Sequence, residues 1–217
     1  MSKILTIDQG TTSSRSIIFD QNANIQASAQ EEYPLLFPND GWVEIQPDDL
    51  YHSVLNTLNQ LDLSEIKYAG ITNQRETTII WDRETHEPIY NAIVWQDRRT
   101  SDYCDSISSD ANKLLVKDKT GLIIDSYFSA TKIKWILDNV EGAREKASAG
   151  KLCFGTVDSF LLFKLSNGAI HKTDITNASR TMLFNINSLE WDSELLELFD
   201  VPSSILPEVE HSDANFG

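Results

Sequence analysis

Between two short apolar runs, Ile4-Leu5-Thr6-Ile7 and Ser16-Ile17-Ile18-Phe19, the chain places Asp8-Gln9-Gly10-Thr11-Thr12-Ser13-Ser14-Arg15. An acid, a glycine, four hydroxyls and an arginine exceed what reversing a chain demands. A P-loop would require GxxxxGK followed by Ser or Thr, which is absent; a dinucleotide fingerprint would require more glycines and a following helix. The remaining device is a hairpin turn whose amides and hydroxyls face a phosphate and whose leading acid faces a hydrated Mg2+. Thr11, Thr12, Ser13 and Ser14 then supply short donors, and Arg15 a planar fork. Gly10 permits a backbone conformation closed to residues with a Cβ. Asp8, read as the end of a buried strand, needs a cation to offset its desolvation. An ordinary hairpin turn with solvated hydroxyls accounts for the loop equally well.

A second polar group is dispersed. Asn73-Gln74-Arg75-Glu76 ends a short strand pattern. Neighbouring strand residues face opposite ways, so Arg75 and Glu76 reach one ligand only if the backbone bends there. Together they offer donors and an acceptor, which suits a hydroxyl group; a surface ion pair is the simpler reading. Trp95-Gln96-Asp97-Arg98-Arg99 and Tyr127-Phe128-Ser129 combine aromatic walls with directed polar groups, the composition of a site for a small neutral polyol. Trp42, Trp81, Trp135 and Trp191 read as packing residues. In Thr173–Arg180, Asn177 and Ser179 suit local turns with Arg180 bracing a loop. Ser129 or Thr131, and separately Asp158, read as helix caps. His52, His86, His171 and His211 are scattered and assigned to the surface, and neither a zinc spacing nor a Ser-His-Asp arrangement is visible.

Positioning these groups falls to a mixed pattern. Strands are expected at about 4–8, 15–20 and 25–33. A helix follows from Pro47-Asp48-Asp49, with Pro in the first turn and acids at the positive end of the dipole. Its apolar face is Leu50, Val54, Leu55, Leu58 and Leu61. Tyr68–Thr72 reads as a short buried strand, and 77–82 with 87–95 as a hairpin around Arg83–His86. Helices are expected around 114–116, ending at Thr120-Gly121, then over 130–140, 156–165 and 192–199, with a strand at 152–154. Strands interleaved with helices argue for an α/β fold. Without a clear linker or repeat, residues 1–217 read as one domain.

The 217 residues are 41% apolar, ample for a core, with 33 acids against 18 bases and a net charge of −15. After Arg180 no Lys or Arg occurs, while eight acids follow. Nucleic acid and anionic membranes are therefore poor partners, since both call for basic stripes. No apolar run nears the roughly 20 residues of a membrane span. The start, MSKILTIDQG, lacks a signal-peptide core. Cys104 and Cys153 match no metal spacing and read as free buried thiols. A cytoplasmic protein is expected.

In order along the chain, IDQGTTSSR (7–15), GWVE (41–44), GITNQRET (70–77), YNAIVWQDRRT (90–100), YFSATKIKWILDN (127–139), FGTVDSFLLFKL (154–165) and TDITNASRTMLFNI (173–186) resemble the FGGY family of carbohydrate kinases. NQRET, WQDRRT and TNASRTML point within it to the glycerol kinases. The resemblance implies a ribonuclease-H-like domain of the actin/Hsp70-like ATPase fold. It further implies ATP and Mg2+ as cofactors, glycerol as substrate, and a homo-oligomer when full length. By position, Thr11, Thr12, Ser13 and Arg15 would meet nucleotide phosphates, and Asp8 would sit beside Mg2+ through water. Arg75, Glu76 and Tyr127 would bond the glycerol hydroxyls, with Trp95 as the apolar wall. The family's catalytic base is an Asp of a second, C-terminal domain that these residues do not include, so this half alone is expected to be inactive. The alternatives are another sugar or polyol kinase of the family, or a non-catalytic fragment acting as a binding module.

Overall fold

The computed structural model describes residues 3–217. The chain divides into two compact units, one formed by Met1–Leu36 and Ile45–Gln74, the other by Phe37–Glu44 and Arg75–Gly217.

The first unit is built on a mixed four-stranded sheet. Strand β1 (Lys3–Gln9) pairs antiparallel with β2 (Ser13–Phe19), which pairs antiparallel with β3 (Ile25–Glu32). After the two-residue strand β4 (Glu44–Ile45) and helix α1 (Pro47–Asn59), β5 (Ile66–Asn73) returns parallel to β1, giving the order β3-β2-β1-β5. Alternation decides which side of the sheet is covered: Leu5, Ile7, Ser14, Ser16 and Ile18 are buried, whereas Asp8 and Arg15 are exposed. Helix α1 starts as expected, with Pro47 in the first turn followed by Asp48 and Asp49. Its buried stripe, however, is Leu50, Ser53, Val54 and Thr57, and Leu61 lies beyond the helix end. Two strand hydroxyls meet two helix hydroxyls inside the unit, Ser14 with Ser53 and Ser16 with Thr57, each at 2.7 Å. Strand β5 departs from the sequence reading. It forms the edge of the sheet rather than a buried strand, and Tyr68 is 70% exposed.

The second unit holds β6 (Ile79–Asp82), β7 (Ala92–Ile93), α2 (Ser101–Ile107), α3 (Asp110–Thr120), α4 (Ser129–Asn139), α5 (Ala143–Ser148), β8 (Leu152–Gly155), α6 (Val157–Leu165), β9 (Lys172–Asp174), α7 (Ile175–Ala178), β10 (Phe184–Asn185), β11 (Glu190–Trp191), α8 (Ser193–Phe199) and β12 (Glu208–Glu210). The turn at 83–86 forms, with the Asp82 carboxylate accepting from the Glu84 and Thr85 amides. Its arms meet only at isolated bridges, Trp81 with Pro88 and Thr78 with Ile93, while β6 takes its regular antiparallel partner in β8. Ile80, Ile93, Val116, Ile133, Ile136, Phe154 and Phe199 form the core. Helix α3 ends on Gly121 at φ +72°, where a left-handed C-cap disfavours a side chain.

Several local assignments change. The hydroxyl of Ser129 caps nothing; it donates to the Glu76 carbonyl, and α4 has Phe128 as its N-cap. Asp158 sits inside α6, fully buried, accepting from the hydroxyls of Thr156 and Thr173. His171 is not a surface residue: its Nε2 pairs with the Phe154 carbonyl at 2.8 Å and its ring meets Trp81 edge-on. Burial holds it neutral, with its pKa pushed down to about 4. Cys104 and Cys153 are free and buried, and burial pushes both thiols up to about 11.

Candidate functional site

In the first unit the polar loop is a three-residue connection, Gly10–Thr12, closed by the Gly10 amide donating to the Ser13 carbonyl at 2.9 Å. Gly10 is not in the left-handed region; a Cβ there would lie 3.3 Å from the Ser13 oxygen, a modest crowding rather than a forbidden conformation. The Gly10 carbonyl is drawn inward by three donors: Gln9 Nε2 at 2.8 Å, Gln74 Nε2 at 3.1 Å and the Tyr33 hydroxyl. A trans peptide sets its C=O and the following N–H in opposite directions, so the Thr11 amide is turned away from that buried cluster. Burial raises the Tyr33 phenol well above its ordinary value, keeping it a donor.

The hydroxyls of the loop separate. Thr12 is exposed, Thr11 and Ser13 half-buried, and Ser14 belongs to the interior against α1. Asp8 and Arg15 are register partners across β1 and β2 on the exposed face of the sheet. Asp8 is therefore not desolvated, and the burial argument for a cation at its carboxylate falls away. Arg15 is held flat by Nε and Nη2, both donating to Gln30 Oε1 at 3.1 and 3.0 Å. One exposed carboxylate near three short hydroxyls remains a fitting donor set for a Mg2+ that keeps its waters and takes further ligands from phosphate.

The second unit contains a cavity of about 550 Å³ lined by Trp95, Gln96, Arg98, Ile123, Asp125, Tyr127, Phe128 and Arg180. Its size suits a small ligand. Trp95 and Tyr127 form adjoining walls, their ring centroids 5.5 Å apart. The Tyr127 wall is set from behind by two charged residues. The Asp125 carboxylate accepts from the Tyr127 amide at 2.8 Å. Lys132, fully buried on α4, donates to the Tyr127 and Phe128 carbonyls at 2.5 and 3.3 Å. Burial pushes its ammonium down to about 7, against the attraction of Asp97, Glu76 and Asp125. Beyond Trp95, Asp97 accepts from the Val43 amide, and Arg99 joins Asp97 to Glu44 while lying 3.8 Å over the Trp42 ring.

Glu76 reaches this cavity through Arg180. Its carboxylate Oε1 accepts from Arg180 Nε at 2.6 Å, and the Arg180 guanidinium lies 5.0 Å over Phe128. Glu76 adopts φ +65°, the backbone bend that the adjacent Arg-Glu pair requires. Arg75 is exposed, makes no ion pair among the described residues, and is not part of the cavity wall. The structure thus brings together Trp95, Tyr127 and, through Arg180, Glu76. Thr11, Thr12, Ser13, Arg15 and Asp8 gather in the other unit. Arg180 and Lys132 escaped the sequence reading as site residues, although a basic residue inside TNASR and an interior lysine in SATKIKW were visible signals.

A mixed α/β fold with a hydroxyl-rich strand turn and an aromatic-walled cavity defines a class, and the chain belongs to it: the model of the FGGY family of carbohydrate kinases, N-terminal domain, matches residues 3–217. Among relatives, it is 56% identical to a glycerol kinase of Marinomonas sp. (strain MWYL1), over 99% of this chain and 44% of that protein. The crystal structure of Plasmodium falciparum glycerol kinase with ADP superposes with a TM-score of 0.93 at 37% identity, covering all of this chain and 44% of that one. A ligand-bound xylulose kinase from Lactobacillus acidophilus shares the fold at a TM-score of 0.85 and 22% identity, over 97% of this chain and 42% of that one. The fold is the actin/Hsp70-like ATPase fold of the sugar kinases. The chain spans less than half the length of the relatives it matches. Among the described residues, no helix is long and apolar enough to cross a membrane.

Proposed function

We propose that these 217 residues form the N-terminal half of a cytoplasmic, ATP-dependent glycerol kinase that makes sn-glycerol 3-phosphate and is a homo-oligomer at full length. The observation that carries the reading is the cavity walled by Trp95 and Tyr127, to which Arg180 tethers an acceptor carboxylate. Aromatic faces cover the carbons of a polyol, while a carboxylate accepts from a hydroxyl. Arg75, Glu76 and Tyr127 bond the glycerol hydroxyls in this reading, and Trp95 packs on the carbon chain. The turn holds nucleotide phosphates by Thr11, Thr12 and Ser13, with Arg15 contributing its guanidinium. Mg2+, when bound beside Asp8 through water, offsets phosphate charge. Phosphoryl transfer is mainly a matter of positioning and electrostatics, and the general base that deprotonates the glycerol hydroxyl comes from the C-terminal domain. The 217 residues by themselves therefore show no turnover.

Arg75→Ala in the full-length protein tests the reading. Glycerol use is lost while nucleotide binding persists, since removing a charged hydrogen-bond donor costs about 1.5–3 kcal/mol. An unchanged apparent glycerol affinity refutes it. A panel of pentoses and tetritols tests the substrate, because preference for one of them over glycerol would assign the chain to another branch of the family.

A further inference from the structure

Glu76 is a buried carboxylate with an asymmetric set of partners. Its residue is only 3% exposed, and its backbone sits at φ +65°, a conformation a non-glycine residue holds at some cost. Three contacts sustain it. The carbonyl accepts from the hydroxyls of Ser129 and Thr78, each at 3.2 Å. The side chain is taken by Arg180 through Oε1 alone. The second oxygen, Oε2, takes no part in that bond. Arg180 in turn is fixed by its stacking over Phe128 and lines the cavity beside Tyr127. Its segment lies 104 residues along the chain from Glu76, just after α7, which is held by Asp174 accepting from the Asn177 amide.

We propose that Arg180 is a positioning residue for polyol recognition, holding Glu76 by one oxygen so that Oε2 faces the ligand as the acceptor for a hydroxyl. The proposal rests on the polyol reading of the cavity. Two properties of the guanidinium serve this role. Its positive charge makes the bond to the carboxylate a charge-assisted one, shorter and stronger than a neutral hydrogen bond. Its planarity lets it stack on an aromatic face while Nε takes one carboxylate oxygen, which an ammonium does less well. Arg180 thus acts on the substrate through Glu76.

The test is a double-mutant cycle in the full-length protein, measuring KM for glycerol, KM for ATP and kcat. Glu76→Gln alone raises the glycerol KM by about tenfold or more, as loss of a charged hydrogen bond does. Arg180→Met raises it comparably and leaves the ATP KM unchanged, while Arg180→Lys recovers part of the loss. In the Glu76→Gln background, Arg180→Met adds nothing, because its route to the ligand is already gone. Additive losses would overturn the proposal in favour of a direct contact. An Arg180→Met enzyme with wild-type glycerol KM would overturn it outright. If neither Glu76→Gln nor Tyr127→Phe alters glycerol use, it is the polyol reading that fails. Should Arg180→Met not fold, Arg180→Lys alone carries the cycle: its loss of glycerol affinity must vanish in the Glu76→Gln background, and persistence of that loss overturns the proposal.

Discussion

Arg99 Nη2 donates to Glu44 Oε1 at 2.7 Å with both side chains sealed from solvent, at 1% and 3% exposure. The same guanidinium meets Asp97 Oδ2 at 2.8 Å, and its face lies over Trp42 and Trp135. Glu44 is completed by the Tyr90 hydroxyl and the Asn91 amide. GWVE and WQDRRT, more than 50 residues apart in sequence, thus close on one buried cation, and Trp95 stands two residues from this knot.

Arg99→Leu should therefore be among the most destabilising substitutions in the chain. It removes one cation and leaves two buried carboxylates facing each other unpaired. Breaking a buried pair from one side costs about 3–5 kcal/mol, unlike replacing the whole group with apolar residues. Denaturant unfolding with an unchanged m-value reads this directly, and a loss below about 1 kcal/mol would contradict the buried network.

Gly155→Ala should also destabilise, for a steric reason. A Cβ at Gly155 would lie 2.5 Å from Ser159 Cβ and 2.9 Å from the Trp81 ring. Both neighbours are fully buried, so neither can swing away. Overpacking of this kind costs about 1–3 kcal/mol. A melting temperature equal to wild type would mean that Trp81 repacks freely.

Much of this was legible in the sequence, and the failures share causes. The loop between β1 and β2 was visible because apolar runs bracket it. Ser14 reads with the phosphate hydroxyls because strand parity assigns a face only once the covering helix is known. It points at Ser53. Tyr68–Thr72 read as buried because a short apolar run cannot distinguish an edge strand from a central one. Arg75 and Glu76 were found, but the partner of Glu76 was not, since no local pattern reports a contact spanning 104 residues. From its polar neighbours His171 reads as a surface residue, whereas the fold sets it edge-on against Trp81.

Tyr33→Phe separates the two halves of the proposed function. The substitution removes the hydroxyl that donates to the Gly10 carbonyl and contacts Gln9 and Gln74, leaving buried amides with fewer partners. The turn then loses part of the clamp that orients its amides. In the full-length protein, KM for ATP should rise several-fold, consistent with a net hydrogen-bond worth of about 0.5–1.5 kcal/mol, while KM for glycerol stays unchanged. A shift in the glycerol value instead would detach the turn from nucleotide binding.

Two buried titrating groups should pull stability in opposite directions across nearly the same pH interval. Burial raises Asp158 from 3.8 to about 6, outweighing the hydroxyls of Thr156 and Thr173 that favour its charge. The unfolded chain then ionises first, so this group's stabilisation is complete below pH 3.8 and lost as pH rises through about 6. The loss is at most about 3 kcal/mol, taking each pKa unit as about 1.4. Burial lowers His171 from 6.5 to about 4, so its contribution is complete above pH 6.5 and lost as pH falls through about 4. In the wild type the two slopes offset each other and the stability curve is flat there. Asp158→Asn should unmask the histidine, so that stability relative to wild type climbs as pH rises from 4 to 6. His171→Asn should unmask the aspartate, and its stability relative to wild type should climb on acidification over the same interval. Unfolding free energies measured in steps from pH 4 to 7 decide the matter. Parallel curves for wild type and both variants would show that neither group changes its protonation on folding.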